Sequence, residues 1–302
     1  MSNKDLYIKT VTYKQLQSSI ILVLALGLLT ACGSGSTDKG EGDALQAGDY
    51  TQITGETLAS IEEASGICYS KNRDSLFVVS DKGILYELDM TGVEKRTPKT
   101  FKTEQDKKYD YEGVACDDTN NRVAVAVEGK DNVHTIDYET LTIQTTTILG
   151  EVKPTGDIQR PANDTLFKDK DGKKGIEGIT LHNGTVYISN QSDIAYPGQD
   201  SSFVFTLDDY SAAAPTIQRD IDHGHKDISG LAFYHDNFYM VSGINRSLIK
   251  YDINSNTTLF KKNLPIGISA EGVAFDDAGN IYFADDKGGK IYKYKASDFG
   301  IE

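Results

Sequence analysis

The chain has 302 residues and a formal net charge of −14, a length that suits one large all-β domain or two smaller ones. So acidic a surface repels phosphate backbones, which excludes nucleic acid as a partner, while it tolerates cations. With 17 Tyr, 28 Gly, 6 Pro and no Trp, the composition fits many short strands joined by tight turns and argues against a disordered chain.

The first segment reads as an export signal. Lys4, Lys9 and Lys14 make a positive n-region, and Ile20 to Leu29 is an apolar run too short to span a bilayer as a mature helix. It ends in Leu29-Thr30-Ala31-Cys32 followed by Gly33, which resembles the lipobox of bacterial lipoproteins. That resemblance implies cleavage before Cys32 and a diacylglycerol thioether on it, so the membrane becomes a partner through Cys32. Residues 1–31 are thus predicted to be a signal peptide and 32–48 the lipidated Cys with a Gly/Ser/Asp-rich flexible linker. A propeller is predicted for 49–302. Gly33 after the Cys implies, in a Gram-negative cell, the outer membrane facing the periplasm.

Self-similarity then dominates. Glu-Gly or Ser-Gly followed by an aliphatic residue recurs at Ser65-Gly66-Ile67, Glu112-Gly113-Val114, Glu177-Gly178-Ile179, Ser229-Gly230-Leu231 and Glu271-Gly272-Val273, with glycine spacings of 47, 65, 52 and 42 residues. Each motif leads into a turn rich in Asp, Asn and Gly, then an apolar strand, for example Leu76–Ser80 and Val123–Val127. A third, alternating strand follows, such as Leu85–Asp89 and Leu248–Asp252. These are hairpin signals, and a repeat of this length makes one four-stranded blade. The 65-residue gap carries an extra loop at about Gly150 to Lys174. The fifth repeat stops after its third strand near Tyr294, so Asp49–Thr54 is predicted to supply its outer strand and close the ring. The fold class is all-β, a five-bladed β-propeller closed by an N-terminal strand.

In a blade the first two strands are antiparallel, so the start of the first and the end of the second share a face. Ser65, Glu112, Glu177, Ser229 and Glu271 are therefore predicted at the mouth of the channel, joined by Asp81, Glu128, Asn190, Gly243 and Asp285. Glu112, Glu177, Glu271, Glu128, Asp285 and Asp81 would repel one another strongly unless protonated or bridged by a cation. Oxygen-only ligands suit Ca2+, and the absence of His and Cys from these positions disfavours zinc. The alternative is that the residues are hydrogen-bond acceptors between blades, and Ser65 and Ser229 at equivalent positions show that the scaffold does not require Glu.

Other signals carry less. Asp169-Lys170-Asp171-Gly172 is like part of an EF-hand loop, but Gly178 stands where the closing Glu belongs, so it reads as a polar turn. His223 and His225 are a proton-transfer pair at the mouth or part of a connecting loop, and the loop is the simpler reading. Cys68 and Cys116 lie at different offsets in adjacent first strands. Export permits a disulfide, but opposite facings favour two buried thiols.

With the lipobox ahead of them, the segments Glu63-Ala64-Ser65-Gly66-Ile67, Tyr111-Glu112-Gly113-Val114, Ile176-Glu177-Gly178-Ile179, Asp227-Ile228-Ser229-Gly230-Leu231 and Ala270-Glu271-Gly272-Val273 resemble the SdiA-regulated family, which is similar to NHL-repeat proteins. The resemblance implies a five-bladed propeller with a calcium site carried by Glu112, Glu177 and Glu271. Glu128 and Asp285 are geometric additions to that metal set. It implies no settled activity. The first functional reading is an envelope-anchored binding module presenting its mouth to a small-molecule or protein ligand. The second is a metal-dependent hydrolase, because gluconolactonase-like and phytase-esterase-like propellers are similar in their Glu-Gly strands and central metal. There the metal polarises a carbonyl or activates water, and a carboxylate such as Glu128 acts as the base. The third is a purely structural envelope component.

Overall fold

A computed structural model describes residues 55–149, 167, 175–193, 202–210 and 215–302. The signal peptide, Cys32, the linker, Asp49–Thr54 and the Asp169–Gly172 turn lie outside the described residues. Within them the chain forms five four-stranded antiparallel sheets. Blade 1 is β2 (Ala64–Ser70), β3 (Ser75–Ser80), β4 (Ile84–Leu88) and the short β5 (Lys99–Thr100). Blade 2 is β6 (Tyr111–Asp117), β7 (Arg122–Val127), β8 (Asn132–Asp137) and β9 (Ile143–Ile148). Blade 3 is β10 (Ile176–His182), β11 (Thr185–Asn190), β12 (Val204–Leu207) and β13 (Ile217–Ile221). Blade 4 is β14 (Ile228–Tyr234), β15 (Asn237–Ser242), β16 (Ser247–Asp252) and β17 (Thr257–Asn263). Blade 5 is β18 (Ala270–Phe275), β19 (Asn280–Asp285) and β20 (Lys290–Lys295), completed by β1 (Glu56–Ser60) from the other end of the chain.

The closure is the one expected, and among the described residues the strand that makes it is Glu56–Ser60. β1 pairs antiparallel with β20 from Glu56↔Lys293 to Ser60↔Lys290, and Ile61 N–H donates to Gly289 O at 2.9 Å. Blade 5 thereby joins the two ends of the propeller and leaves no unpaired seam.

The core is divided among the blade-to-blade seams. Phe77, Val79 and Leu85 of blade 1 pack with Val114, Val123 and Val125 of blade 2, while Leu76, Val78 and Leu88 pack with Tyr282, Ala284 and Ile291 of blade 5. Successive side chains of one strand thus serve opposite seams. This explains why the second strands are apolar throughout rather than alternating: both of their faces are buried.

The motif glycines fix how closely the blades approach. A Cβ on Gly113 would stand 2.4 Å from Glu177 O, one on Gly66 2.7 Å from Glu112 O, and one on Gly230 2.6 Å from Glu271 O. The series closes on itself, because a Cβ on Gly272 would meet Ile67 N at 2.8 Å. Glycine at this position lets each innermost strand rest on the backbone of the next.

Cys68 and Cys116 form a disulfide, with Cα atoms 5.7 Å apart, which corrects the expectation of two thiols. Their side chains do leave their strands in opposite senses. In a propeller, however, the forward face of one blade packs on the backward face of the next. Opposite senses on neighbouring blades therefore aim the two sulfurs at each other, in the seam that both residues share.

Candidate functional site

Each innermost strand carries a bulge at its motif. The register with the second strand shifts between Ala64 and Gly66, Tyr111 and Val114, Ile176 and Ile179, Ile228 and Gly230, and Ala270 and Gly272. The extra residue re-aims one side chain, and it is the Ser or Glu of the motif. The residue before it pairs with the last residue of the second strand: Ala64↔Ser80, Tyr111↔Val127, Ile176↔Asn190, Ile228↔Ser242 and Ala270↔Asp285. One step further out, Asp81, Glu128, Gln191 and Gly243 donate their backbone N–H to the carbonyls of Glu63, Asp110, Gly175 and Asp227.

This register places Ser65, Glu112, Glu177, Ser229 and Glu271 at the mouth, with Asp81 and Glu128 beside them. It moves Asn190 and Asp285 out of the set. They are the last residues of their strands, one place short, and a shift of one residue turns a side chain to the other face. Asn190 is buried, with its Oδ1 accepting the Phe203 N–H at 2.8 Å. Asp285 lies beneath its own hairpin turn, where Oδ1 accepts the Ser269 N–H at 3.1 Å and a Cβ on Gly288 would stand 2.1 Å from Oδ2. Asp286 takes its place at the mouth and feels the charge of Glu63. The serines contribute no charge: Ser65 Oγ donates to Glu63 O and Ser229 Oγ to Ala270 O.

The structure adds Glu63, Asp110 and Asp227, each two residues before its motif. Glu63 and Asp227 both have a φ of 53°, a left-handed conformation that carries strain outside glycine. Lys82 Nζ lies 2.5 Å from Glu63 Oε2 and 3.0 Å from Glu62 Oε1. Asp110, Glu112 and Glu128 offer oxygens that all lie within 4.8 Å of one another.

The electrostatics follow from this crowding. Burial, then the charges of Asp110, Glu128, Glu271 and Asp81, raise the Glu112 carboxyl well above the usual range. Burial and the charges of Glu112, Glu271 and Glu128 do the same to Glu177, which is only 4% exposed. Burial, then Asp286, Asp227 and Asp81, pushes Glu271 up to about 8. Glu128 rises to about 7 through burial and Asp110. Asp81 also rises to about 7, through burial and the hydrogen bond it shares with Glu63. Burial raises Asp110 and Asp286 as well. Glu63 alone moves down, held ionised first by Lys82.

These residues fit a hard divalent cation. Every donor is oxygen, the like charges need neutralising, and Asp81 Oδ1 is buried without a hydrogen-bond partner. Beside the cluster an open cavity of about 680 Å³ is lined by Ser60, Glu62, Glu63, Asp81, Asp286, Lys287, Gly288 and Gly289, so the acidic centre is reached from solvent.

The histidines lie in the connection between β13 and β14. His223 is buried, its Nδ1 accepts the His225 N–H at 3.1 Å, and His225 Nε2 is 2.8 Å from Thr258 Oγ1. Burial pushes His223 down to about 3 and His225 to about 4, so both are neutral and neither serves the carboxylates as a charged acid.

Comparison with known proteins agrees with this architecture. Residues 60–241 match the phytase-like family, described by the esterase-like activity of phytase. No curated protein matches the chain in sequence. Among solved structures, the glutaminyl cyclase of Myxococcus xanthus is similar with a TM-score of 0.56 at 11% identity, over 80% of this chain and 94% of that one. At that identity the likeness is one of fold. A chain of a nidogen–laminin complex overlays with a TM-score of 0.48 at 14% identity, over 78% of this chain and 77% of that one.

Proposed function

We infer, for a chain that belongs to the phytase-like family, a divalent-cation-dependent ester hydrolase whose reaction takes place at the carboxylate mouth. The single observation that carries this is the meeting of Asp110, Glu112 and Glu128 within 4.8 Å, with Asp110 exposed to solvent. These three would hold the ion, with Ca2+ the one that suits many oxygen donors in irregular geometry. When bound, such an ion polarises an ester carbonyl or phosphoryl oxygen, or acidifies a water.

The chain's own residues supply the proton chemistry. Asp81, brought to about 7, sits near the working pH, where a general base is most effective. Its hydrogen-bonded neighbour Glu63 stays ionised beside Lys82 and orients it. Glu128, also brought to about 7, is equivalent in acidity but belongs with the ion-holding group. Glu177, out of solvent, adds a carboxyl that feels the charges of Glu112, Glu271 and Glu128.

The buried Glu177 also favours the second reading, a calcium-stabilised binding module for a small-molecule or protein ligand. The likeness to the SdiA-regulated family and the envelope anchor through Cys32 belong to either reading. Hydrolysis of p-nitrophenyl acetate and p-nitrophenyl phosphate, followed with added Ca2+ and with a chelator, separates them. Turnover that requires Ca2+ and falls about a hundredfold or more in Glu112→Gln supports the hydrolase. No turnover in either condition leaves the binding module.

A further inference from the structure

The mouth is not equally acidic all round. In every blade the motif residue and the residue after the second strand face it. Blades 1, 2, 3 and 5 place at least one carboxyl at these positions: Asp81, Glu112 with Glu128, Glu177, and Glu271 with Asp286. Blade 4 places Ser229 and Gly243 there. Ser229 is turned aside, its Oγ donating to Ala270 O at 3.4 Å, and Gly243 has no side chain. Asp227, the acid that precedes the blade 4 motif, is drawn under the turn. Its Oδ2 accepts the Ile244 N–H at 2.8 Å and would stand 3.0 Å from a Cβ on Gly243. The ring of carboxylates is thus interrupted at blade 4.

At that gap the surface turns apolar. β15 ends and β18 begins at the mouth, so the turn 243–246 and the connection 264–269 both lie on its face. They are pinned together where Leu264 N–H donates to Arg246 O at 2.8 Å. Ile244 and Ile266 each stand two residues from that bond, and they are 55% and 72% exposed. Ile266 is the most exposed large apolar side chain among the described residues. Its neighbours Pro265 and Ile268 are buried, and Gly267, with a φ of 89°, makes the turn that leaves Ile266 outside. Neighbouring apolar side chains held in water beside a polar site mark a surface that a ligand covers.

We propose that Ile244 and Ile266 form a shelf for the acyl chain of the substrate, and that Gly243 is the gap through which the chain leaves the carboxylate ring. The substrate class is then carboxylic esters of aliphatic acids. The proposal rests on the hydrolase reading of the mouth and concerns the part of the substrate away from the reacting carbonyl. A chain laid over Asp81, Glu128 or Asp286 would strip water from carboxylates, which is costly. Laid over the two isoleucines it strips water from hydrocarbon, which is favourable. The cavity on the other side of the mouth, with Glu62, Glu63, Asp81 and Asp286, is left to the polar alcohol and to water. Full burial of a methylene tightens binding about fourfold, and a chain covered on one side gains about half of that free energy, roughly twofold per methylene.

The test is kcat/KM of the full chain in Ca2+ for p-nitrophenyl acetate, butyrate and hexanoate. We expect a rise of roughly fifteenfold from acetate to hexanoate. Ile244→Ser with Ile266→Ser should flatten the series to about fourfold or less and leave the acetate rate unchanged. Leu259→Ser, equally exposed at 55% but on the outer strand β17, should keep the full slope. All three side chains are exposed, so the variants should melt with the parent. Calorimetric titration with acetanilide and hexananilide, amides in place of the esters, reads the same preference without turnover. A flat ester series in the parent, or one as steep in the double variant, overturns the shelf and leaves the hydrolase. No turnover of any ester, with hexananilide still bound about fifteenfold tighter than acetanilide by the parent alone, supports the shelf and defeats the hydrolase. No turnover and no preference between the anilides defeats both.

Discussion

Glu112 concentrates the tension of the mouth. Its carboxyl is pushed up by burial and by Asp110, Glu128, Glu271 and Asp81, so without a cation it is a liability to the fold. Glu112→Gln removes one of the repelling charges and keeps the shape. We expect this variant to melt at the same temperature as the parent or higher in chelator, yet to lose most of the rise that Ca2+ gives the parent. Asp286→Asn should weaken that rise in the same sense. Asp285→Asn should leave the rise intact and lower the midpoint in both conditions, because it disturbs the Asp285–Ser269 hydrogen bond, typically by about 1 kcal/mol. Thermal melts with Ca2+ and with chelator check all three, and a calcium response lost in Asp285→Asn but kept in Asp286→Asn would reverse the assignment. The contrast also marks where the sequence stops being legible. Glu112, Glu177 and Glu271 stand out because the glycine after each is repeated. Asp285 and Asp286 are adjacent acids, and only the bulge between Ala270 and Gly272 decides which one reaches the mouth. A repeat pattern does not reveal a one-residue bulge. Glu63, Asp110 and Asp227 did leave a trace, an acid two places before three of the five motifs, but it precedes the strand and so falls outside the strand pattern.

Among the elements, the innermost strands bear most of the architecture. They were legible because glycine is needed where each rests on the next, and because second strands buried on both faces read as unbroken apolar runs. The outer strands were less so: β5 has two residues, and the start of β1 depends on pairing with β20 rather than on its own composition. The Cys68–Cys116 bridge was misread from the same strands, since alternation within one strand gives the direction of a side chain but not what the neighbouring blade places there. The bridge ties β2 to β6 across 48 residues. Chain-entropy arguments assign a loop of that size about 4 kcal/mol. Blades 1 and 2 are joined elsewhere too: Asp118 accepts from Lys71 N–H at 2.8 Å and from Ser70 Oγ, and Arg73 pairs with Glu139. Reduction, or Cys68→Ser with Cys116→Ser, should therefore lower the melting midpoint clearly while the circular-dichroism spectrum of the folded state stays that of a β-sheet protein. An unchanged midpoint would mean that the bridge closes a seam already held by other contacts.

At the scale of the whole propeller, the carboxylate mouth sets how stability depends on pH. Glu271 at about 8 and Glu128 and Asp81 at about 7 all lie above the ordinary values of about 4 that these groups have in an unfolded chain. For such groups the folded state holds the extra protons. Their contribution to stability is complete below about pH 4 and is lost as pH rises through 7 to 8. Other carboxylates act oppositely. At Asp117 burial is outweighed by hydrogen bonds from Tyr210, Asn120 and Arg122, and at Asp276 by those from Asn280 and Tyr282. Both sit below their ordinary range, so their contribution is lost as pH falls through the folded-state values. In chelator the melting midpoint should thus peak in mildly acid solution and decline toward pH 8. A cation in the mouth competes with those protons, so Ca2+ should add little near pH 5 and much at pH 8, flattening the decline. Each Ca2+ bound near pH 7 should also release protons, measurable as a dependence of binding heat on the ionisation enthalpy of the buffer. A midpoint in chelator that rises steadily from pH 5 to pH 8, or a calcium effect that does not grow over that interval, would show that the carboxylates at the mouth are not crowded enough to need a cation.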